Sequence, residues 1–563
     1  AILAQAQDDT LQAIRANGSA SIGFALVAGC SSGEMITGVH TFLASASLQA
    51  SQFSLIASPA FFLNPTDEVA LLFLDALWAS IAGIAAVAAT FVSWELLTSR
   101  VTTDELAAKK LAGNDSSGQG DPRVESRALW SMVVAMDFMT MMSATVIIPC
   151  SYALAVHAGK GVVFSGFLVG MAFALEGIGV LFSRLAMRVF SPLGVRILVC
   201  ISFLGLSASS LLFGLAVLSP ATSWLGKCRV EALVASRLLQ GWFSATGAPL
   251  KVMAAQRTEN PGDLVRYNLW DSCGISCGIG FGPLVCALSI RLLGNRGLCT
   301  TTAAALTAIG AVWVVLFVAA TLLVPASQMP TRELPEADAA AGTGARKKAK
   351  DVVRNAATMK TVYKLAIQFG VSRAFMNSAL EVTTALFLET QFGMGHEAIG
   401  IAISCSFLLC LPVTALVLLI RDRYSPRDTS LFVVLTALCL VSSLLFFNNL
   451  AQLLVGSGTY GNVRILLLAD ALVFSTGYVA NGIADGFAYA NVVPGTAYSP
   501  ENLILADRLL QGSCCRLLGP VLGRFAAYYY GRDCYALLQM CLAGLGAGTA
   551  WLLRACLDVE AAH

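Results

Sequence analysis

The sequence predicts an all-α integral membrane protein in which twelve spanning helices form two six-helix bundles, preceded by one or two additional helices. Three observations lead there. Of 563 residues, 56% are hydrophobic and only 12% charged, where a soluble domain is about a quarter charged, so the solvent for most of the chain is lipid. Twelve apolar stretches, each near the roughly 20 residues that cross a bilayer, follow one another from Leu129 onward. The widest break among them, residues 326–360, divides twelve into six and six.

The stretches run over about 129–157, 162–183, 195–219, 230–254, 267–291 and 300–325 in the first bundle (129–325), and 361–388, 397–420, 429–448, 463–490, 500–527 and 534–556 in the second (361–563). The 326–360 break is rich in Pro, Ala and Gly and then basic, with Arg346, Lys347, Lys348 and Lys350, the composition of a linker. Loop charge sets orientation. The linker side also collects Arg100, Lys109, Lys110, Arg123, Arg127, Arg184, Arg188, Arg196, Lys251, Arg257, Arg266, Arg421, Arg423 and Arg427, against Lys160, Lys227, Arg229, Arg291, Arg296, Arg464 and Arg532 opposite. Both ends of the twelve-helix unit are therefore expected on the cytoplasmic or equivalent side.

Residues 1–128 form an amino-terminal extension. Val69–Leu97 is apolar enough to span despite Asp75 and Glu95, and 20–48, small-residue-rich with Glu34 and His40, either spans as well or lies in the interface. The chain opens with Ala1 rather than Met, as a processed or incomplete terminus would.

Several function classes are disfavoured. A formal net charge of +2, with no basic run interleaved with aromatics, gives no reason to expect nucleic acid. The 16 cysteines sit mostly in apolar segments, as Cys273, Cys277, Cys405 and Cys410 do, without zinc-ligand spacing. His40, His157, His396 and His563 are too scattered to suggest a metal or a nucleophile–base pair. No enzyme, no metal and no cofactor is expected.

The halves echo one another. Asp137-Phe138-Met139 in helix 1 matches Ala374-Phe375-Met376 in helix 7, and Gly282-Pro283 in helix 5 matches Gly519-Pro520 in helix 11, both at an offset of 237 residues. One offset shared by two matches argues for internal duplication, and repeated halves place a binding site where they meet.

Three motifs fall in order along these helices. After helix 8 stands Arg421-Asp422-Arg423-Tyr424-Ser425-Pro426-Arg427, and after helix 2 Ser183-Arg184-Leu185-Ala186-Met187-Arg188 followed by Ser191-Pro192-Leu193-Gly194-Val195-Arg196. Helix 4 reads Ser236-Arg237-Leu238-Leu239-Gln240-Gly241, with Ser244 and Ala248 continuing the face of Gly241. Helix 5 carries Asp271, Gly274, Gly278, Gly282 and Pro283, glycines at every fourth position that form a groove for another helix and a proline that bends the rod. Together, over residues 129–556, these motifs resemble the major facilitator superfamily, the helix 5 pattern being similar to that of its proton-linked antiporters. The first loop copy lacks the family's Asp, and Cys286-Ala287 stands where two glycines are usual. The resemblance implies the two-bundle fold, alternating access, and a central cavity lined by helices 1, 4, 7 and 10.

Charge inside the membrane carries the functional reading. Seven acids (Asp137, Glu176, Asp271, Glu381, Asp470, Asp485, Asp507) face four arginines (Arg237, Arg373, Arg508, Arg516) within the spans. Even with every arginine paired, carboxylates are left over, and in low dielectric an unpaired carboxylate is neutralised by taking up a proton. Arg373, Asn377 and Glu381 form a stripe on helix 7; Asp470, Phe474, Gly477, Asn481 and Asp485 form one on helix 10; Arg508, Gly512, Arg516, Gly519 and Gly523 follow on helix 11. The expectation is a secondary transporter of a small organic solute. Asp137 or Glu381 carries the proton, Arg237 pairs with one of them, Arg373 or Arg516 attracts an anionic group, and Asn377, Asp470, Asn481 and Asp485 complete the cavity. The competing reading is a transport-inactive scaffold docked to a membrane partner through residues 1–98.

Overall fold

In lipid a backbone must satisfy its own hydrogen bonds, and a continuous apolar segment does so as a helix. The structure, a computed structural model, describes residues 122–561 except 190–193, 259–260, 294–296, 324–344, 425–426, 456–458 and 493–497, and all regular structure among them is helical. The expected spans at 20–48 and 69–97, and the docking segment 1–98, lie outside the described residues.

Twelve rods follow. Span 1 comprises Pro122–Thr145, a 3-10 turn at Ile148–Cys150 and Ser151–His157; span 2, Val162–Gly170 and Glu176–Val189; span 3, Gly194–Leu218; span 4, Arg229–Thr246 and Ala248–Gln256; span 5, Pro261–Leu293; span 6, Leu298–Leu323. Span 7 is Ala345–Thr390; span 8, His396–Leu408 and Cys410–Tyr424; span 9, Asp428–Ser443; span 10, Thr459–Ala490; span 11, Pro500–Ala506, a π-helical Asp507–Arg516 and Leu517–Tyr530; span 12, Arg532–Ala561. Residues 345–360, expected in the linker, instead continue span 7. Eight rods are long and apolar enough to cross a membrane by themselves. The other four, spans 2, 4, 7 and 11, carry Glu176, Arg237, Arg373 with Glu381, and Arg508 with Arg516. Large apolar side chains such as Leu419, Val441 and Trp551 point outward, as a lipid-facing surface requires.

"Inner" below denotes the arginine-rich side on which span 6 ends and span 7 begins, and "outer" the opposite one. Span 1 packs on span 5 and span 7 on span 11; the halves meet where span 2 crosses span 11 and span 5 crosses spans 8 and 10.

The glycine-proline motifs shape both kinds of contact. Gly274, Gly278 and Gly282 lie against Val134, Phe138 and Met142 of span 1, and Gly519 lies against Phe375 and Ala379 of span 7. Met142 and Ala379 are 237 residues apart, as Gly282 and Gly519 are, so the duplicated residues make a duplicated helix pairing. Pro283 has no N–H to offer the Ile279 carbonyl, and the Thr145 hydroxyl, whose closer acceptor is the Met141 carbonyl at 2.8 Å, reaches that carbonyl at 3.3 Å. Each motif also turns toward the other half. Gly400 of span 8 rests on the Pro283 carbonyl, and Gly166 of span 2 rests on the Pro520 carbonyl, where any β-carbon would collide with backbone. Gly241 serves closeness within one half, abutting the turn at Ala172 and Leu175 in span 2.

Candidate functional site

The polar residues between the halves fall into an inner ionic cluster and a mid-depth aromatic site. Both draw on the π-helical stretch Asp507–Arg516 of span 11. A π-turn holds more residues than an α-turn, and here it buries Arg508, Gln511, Gly512, Cys515 and Arg516 together. Gly512 belongs there because Glu176 occupies the space of a side chain.

In the inner cluster Arg508 Nη2 donates to Asp137 of span 1, at 3.1 Å to Oδ1 and 3.3 Å to Oδ2. Its Nη1 lies 3.6 Å from Glu176 of span 2, and Asp507 approaches its Nε at 3.8 Å. One guanidinium of the second half thus serves two buried carboxylates of the first. Lys251 and Asp271, both buried, form a second pair at 2.5 Å. A small cavity beside them is lined by Lys251, Asp485, Tyr489, Asp507 and Gln511. Toward the inner surface, Gln256 donates to Glu501 at 2.9 Å and Arg184 to Asn502 at 2.8 Å, again across the halves. Arg421 grips Asp428 with two hydrogen bonds and donates to the Gly262 carbonyl of span 5, while Asp422 meets Arg266 at 3.6 Å. Arg423 is exposed.

At mid-depth Tyr478 of span 10 is the hub. Its hydroxyl donates to Glu381 at 3.3 Å and accepts a short hydrogen bond from Arg516. Arg373 stacks on its ring at 4.8 Å and donates to Gln511 at 2.6 Å. The first half closes over this group: the Arg516 guanidinium lies 4.9 Å from the centre of the Phe173 ring and 3.2 Å from the Met141 sulfur. Two cations and one acid therefore face an aromatic and thioether wall.

Other sequence candidates lie elsewhere. Arg237 is turned into the first bundle, donating to Gln240 at 2.6 Å and to the Ser143 carbonyl at 3.3 Å, over the Phe213 ring at 4.8 Å. It pairs with neither Asp137 nor Glu381, because Asp137 is held by Arg508 and Arg237 sits in the outer half of span 4. Asp470 lies between spans 7, 10 and 12, facing Thr384 and Arg532, away from the mid-depth site. The Asn377 side chain, buried beside Gly477, makes no hydrogen bond. Asn481 donates to Asp485 at 2.7 Å near the inner cavity.

Sequence reasoning had no role for Tyr478, Gln511, Phe173 or Arg524. Arg524, fully buried near the outer end of span 11, donates to Ser151 at 2.7 Å, to the Val382 carbonyl at 3.2 Å and, in a short bond, to Ser165. It ties the halves together on the outer side. Its signal was legible: a lone arginine two turns beyond Arg516 in an otherwise apolar stretch.

The family model described as Major Facilitator Superfamily matches residues 129–492. In fold the chain is similar to the human organic anion transporter MFSD10 (TETRAN), with TM-score 0.50 and 16% identity over 76% of this chain and 99% of that one. It is also similar to a POT family transporter in complex with 5-aminolevulinic acid, with TM-score 0.50 and 14% identity over 78% and 97% of the two chains. No curated protein matches the sequence.

Proposed function

Since the chain belongs to the Major Facilitator Superfamily and is a multi-pass membrane transporter, we propose that it carries a small organic solute by alternating access, coupled to protons through the Asp137–Arg508–Glu176 cluster. The observation that carries this reading is the sharing of Arg508, at 3.1 Å and 3.6 Å, by two buried acids of the opposite half.

The chemistry follows from the arrangement. Opening the inner side draws span 11 away from spans 1 and 2, leaving Asp137 and Glu176 without their cation. Two adjacent carboxylates in low dielectric do not both stay ionised, so a proton taken up by one of them stabilises the open form. Reclosing returns Arg508 and releases the proton. Arg508 thus takes the pairing role that the sequence suggested for Arg237.

The solute site is the mid-depth group. Arg373 and Arg516 against Glu381 leave one positive charge in excess, which favours an anionic group on the solute. Phe173, Tyr478 and Met141 suit an apolar body beside it. Solute contacts at Arg516 would report on both halves at once, since its partners come from spans 1, 2 and 10.

The test uses purified protein in proteoliposomes, with a solute chosen by thermal-shift screening at two pH values. An imposed pH gradient should drive solute accumulation by the wild type, and Asp137→Asn with Glu176→Gln should exchange solute without accumulating it. Accumulation that ignores the gradient in the wild type would refute proton coupling.

A further inference from the structure

Within the carboxyl-terminal half, between spans 7, 10 and 12, runs a line of polar side chains that the central site does not use. Asp470 is fully buried, and neither of its carboxylate oxygens makes a hydrogen bond of normal length, although the Thr384 side chain faces it. Thr384 Oγ1, both amide atoms of Asn377, Gln539 Oε1 and Arg532 Nη2 are likewise buried and unpartnered. A buried carboxylate with nothing bonded to it is costly as the anion, even with the Arg532 guanidinium nearby, unless something neutralises it directly.

The register of the helices identifies what that something is. Spans 7 and 10 run antiparallel with Gly477 beside Asn377. Seven residues farther out on each, Thr384 comes level with Asp470. Seven residues is about 10 Å of helix, whereas oxygens that bind one metal ion all lie within about 2.6 Å of it. The orphaned atoms are thus strung along a track rather than gathered around a point, and the Arg532 guanidinium beside the carboxylate repels a metal cation. A proton satisfies both conditions.

Gln539 joins the two ends, its Nε2 donating to the Met376 carbonyl at 3.2 Å and to the Tyr535 hydroxyl at 3.0 Å. Asn377 stands one helical turn from both Arg373 and Glu381. The groups that face Asp470 are Thr384 from span 7 and Arg532 and Tyr535 from span 12, with Asp533 acting on Arg532; no other charged group faces it among the described residues.

We propose that Asp470 is a proton-binding site inside the carboxyl-terminal half, reached from the outer side past Arg532 and linked through Tyr535, Gln539 and Asn377 to the Arg373–Glu381 site. Protonated, the carboxyl donates to the Thr384 hydroxyl; deprotonated, it draws in Arg532 Nη2. The link to the central site rests on the carrier reading above, but proton binding at Asp470 does not.

The test is infrared difference spectroscopy of the full chain in lipid nanodiscs as pH is stepped without solute. The wild type should give carboxyl C=O bands that titrate, of which Asp470→Asn should lose one component while those of the other buried acids persist, and Thr384→Val, which keeps the acid and removes its hydrogen-bond acceptor, should shift the frequency of that component. A set of bands that is unchanged in Asp470→Asn, or absent in the wild type throughout, overturns the proposal. Should Asp470→Asn fail to insert, an unshifted set of bands in Thr384→Val overturns it equally. Solute flux is scored separately, so a protein that titrates at Asp470 yet carries nothing refutes only the carrier reading.

Discussion

Replacing Arg508 with Gln should be among the most damaging single changes in the membrane interior, and the structure sets its scale. At an effective dielectric of about 20, each unit-charge contact at the observed separations of 3.1 Å and 3.6 Å is worth roughly 5 kcal/mol before desolvation. Much of that offsets the cost of burying the ions, and breaking such a pair by removing one partner costs about 3–5 kcal/mol. Arg508→Gln should therefore lose about 3–5 kcal/mol at neutral pH, because two acids are stranded together. Asp137→Asn should lose less, since Glu176 still balances the guanidinium. Adding Asp137→Asn and Glu176→Gln to Arg508→Gln should restore most of the loss, because no buried acid is then stranded and Lys251 and Asp271 still neutralise each other. Equilibrium denaturation in mixed detergent micelles at a series of dodecyl sulfate fractions reads all four proteins. If the losses in the triple variant simply add, the three residues are not coupled and the cluster has been misread.

Two further outcomes follow from packing and from the outer contact. Gly282→Ala should destabilise by roughly 1–3 kcal/mol through overpacking, because its β-carbon collides with span 1 backbone, whereas Gly548→Ala, with open space around it, should be neutral or stabilise by up to about 1 kcal/mol; the same denaturation series distinguishes them. Arg524→Met removes the donors to Ser151, Ser165 and Val382 and should raise labelling of a cysteine introduced at the outer end of span 1, relative to the same cysteine alone; unchanged labelling would mean that Arg524 does not restrain the outer side.

How much of this was readable in advance depended on the range of the interaction. Span positions and the groove of Gly274, Gly278 and Gly282 are local periodicities, and periodicity is visible in sequence. The duplication was visible too, and the structure turns it into the matched pairings of Gly282 with span 1 and Gly519 with span 7. Partner choice was not. Arg237 and Arg508 look alike as lone arginines in apolar helices, yet one faces Gln240 and Phe213 and the other two carboxylates, a difference fixed by rotation of the rods about their axes. The π-helical stretch at 507–516 was also hidden, because its extra residue per turn is set by what the side chains meet, not by their order. Asp470 shares a helical face with Asn481 and Asp485, but the outer end of that face meets Thr384 and Arg532 and the inner end meets the cavity beside Lys251 and Asp507.

The paired seats of Gly166 on the Pro520 carbonyl and Gly400 on the Pro283 carbonyl have a mechanical consequence. Two points of close backbone contact, with only the small Ala287 and Pro149 side chains beside the Gly400 seat, resist approach but offer little resistance to pivoting. Two fixed points define a line, so any relative movement of the halves that keeps both seats is a rotation about the line joining them. A bulky residue at either glycine would lift one bearing and tilt that axis, misaligning the inner and outer closures together even though neither closure had itself been touched.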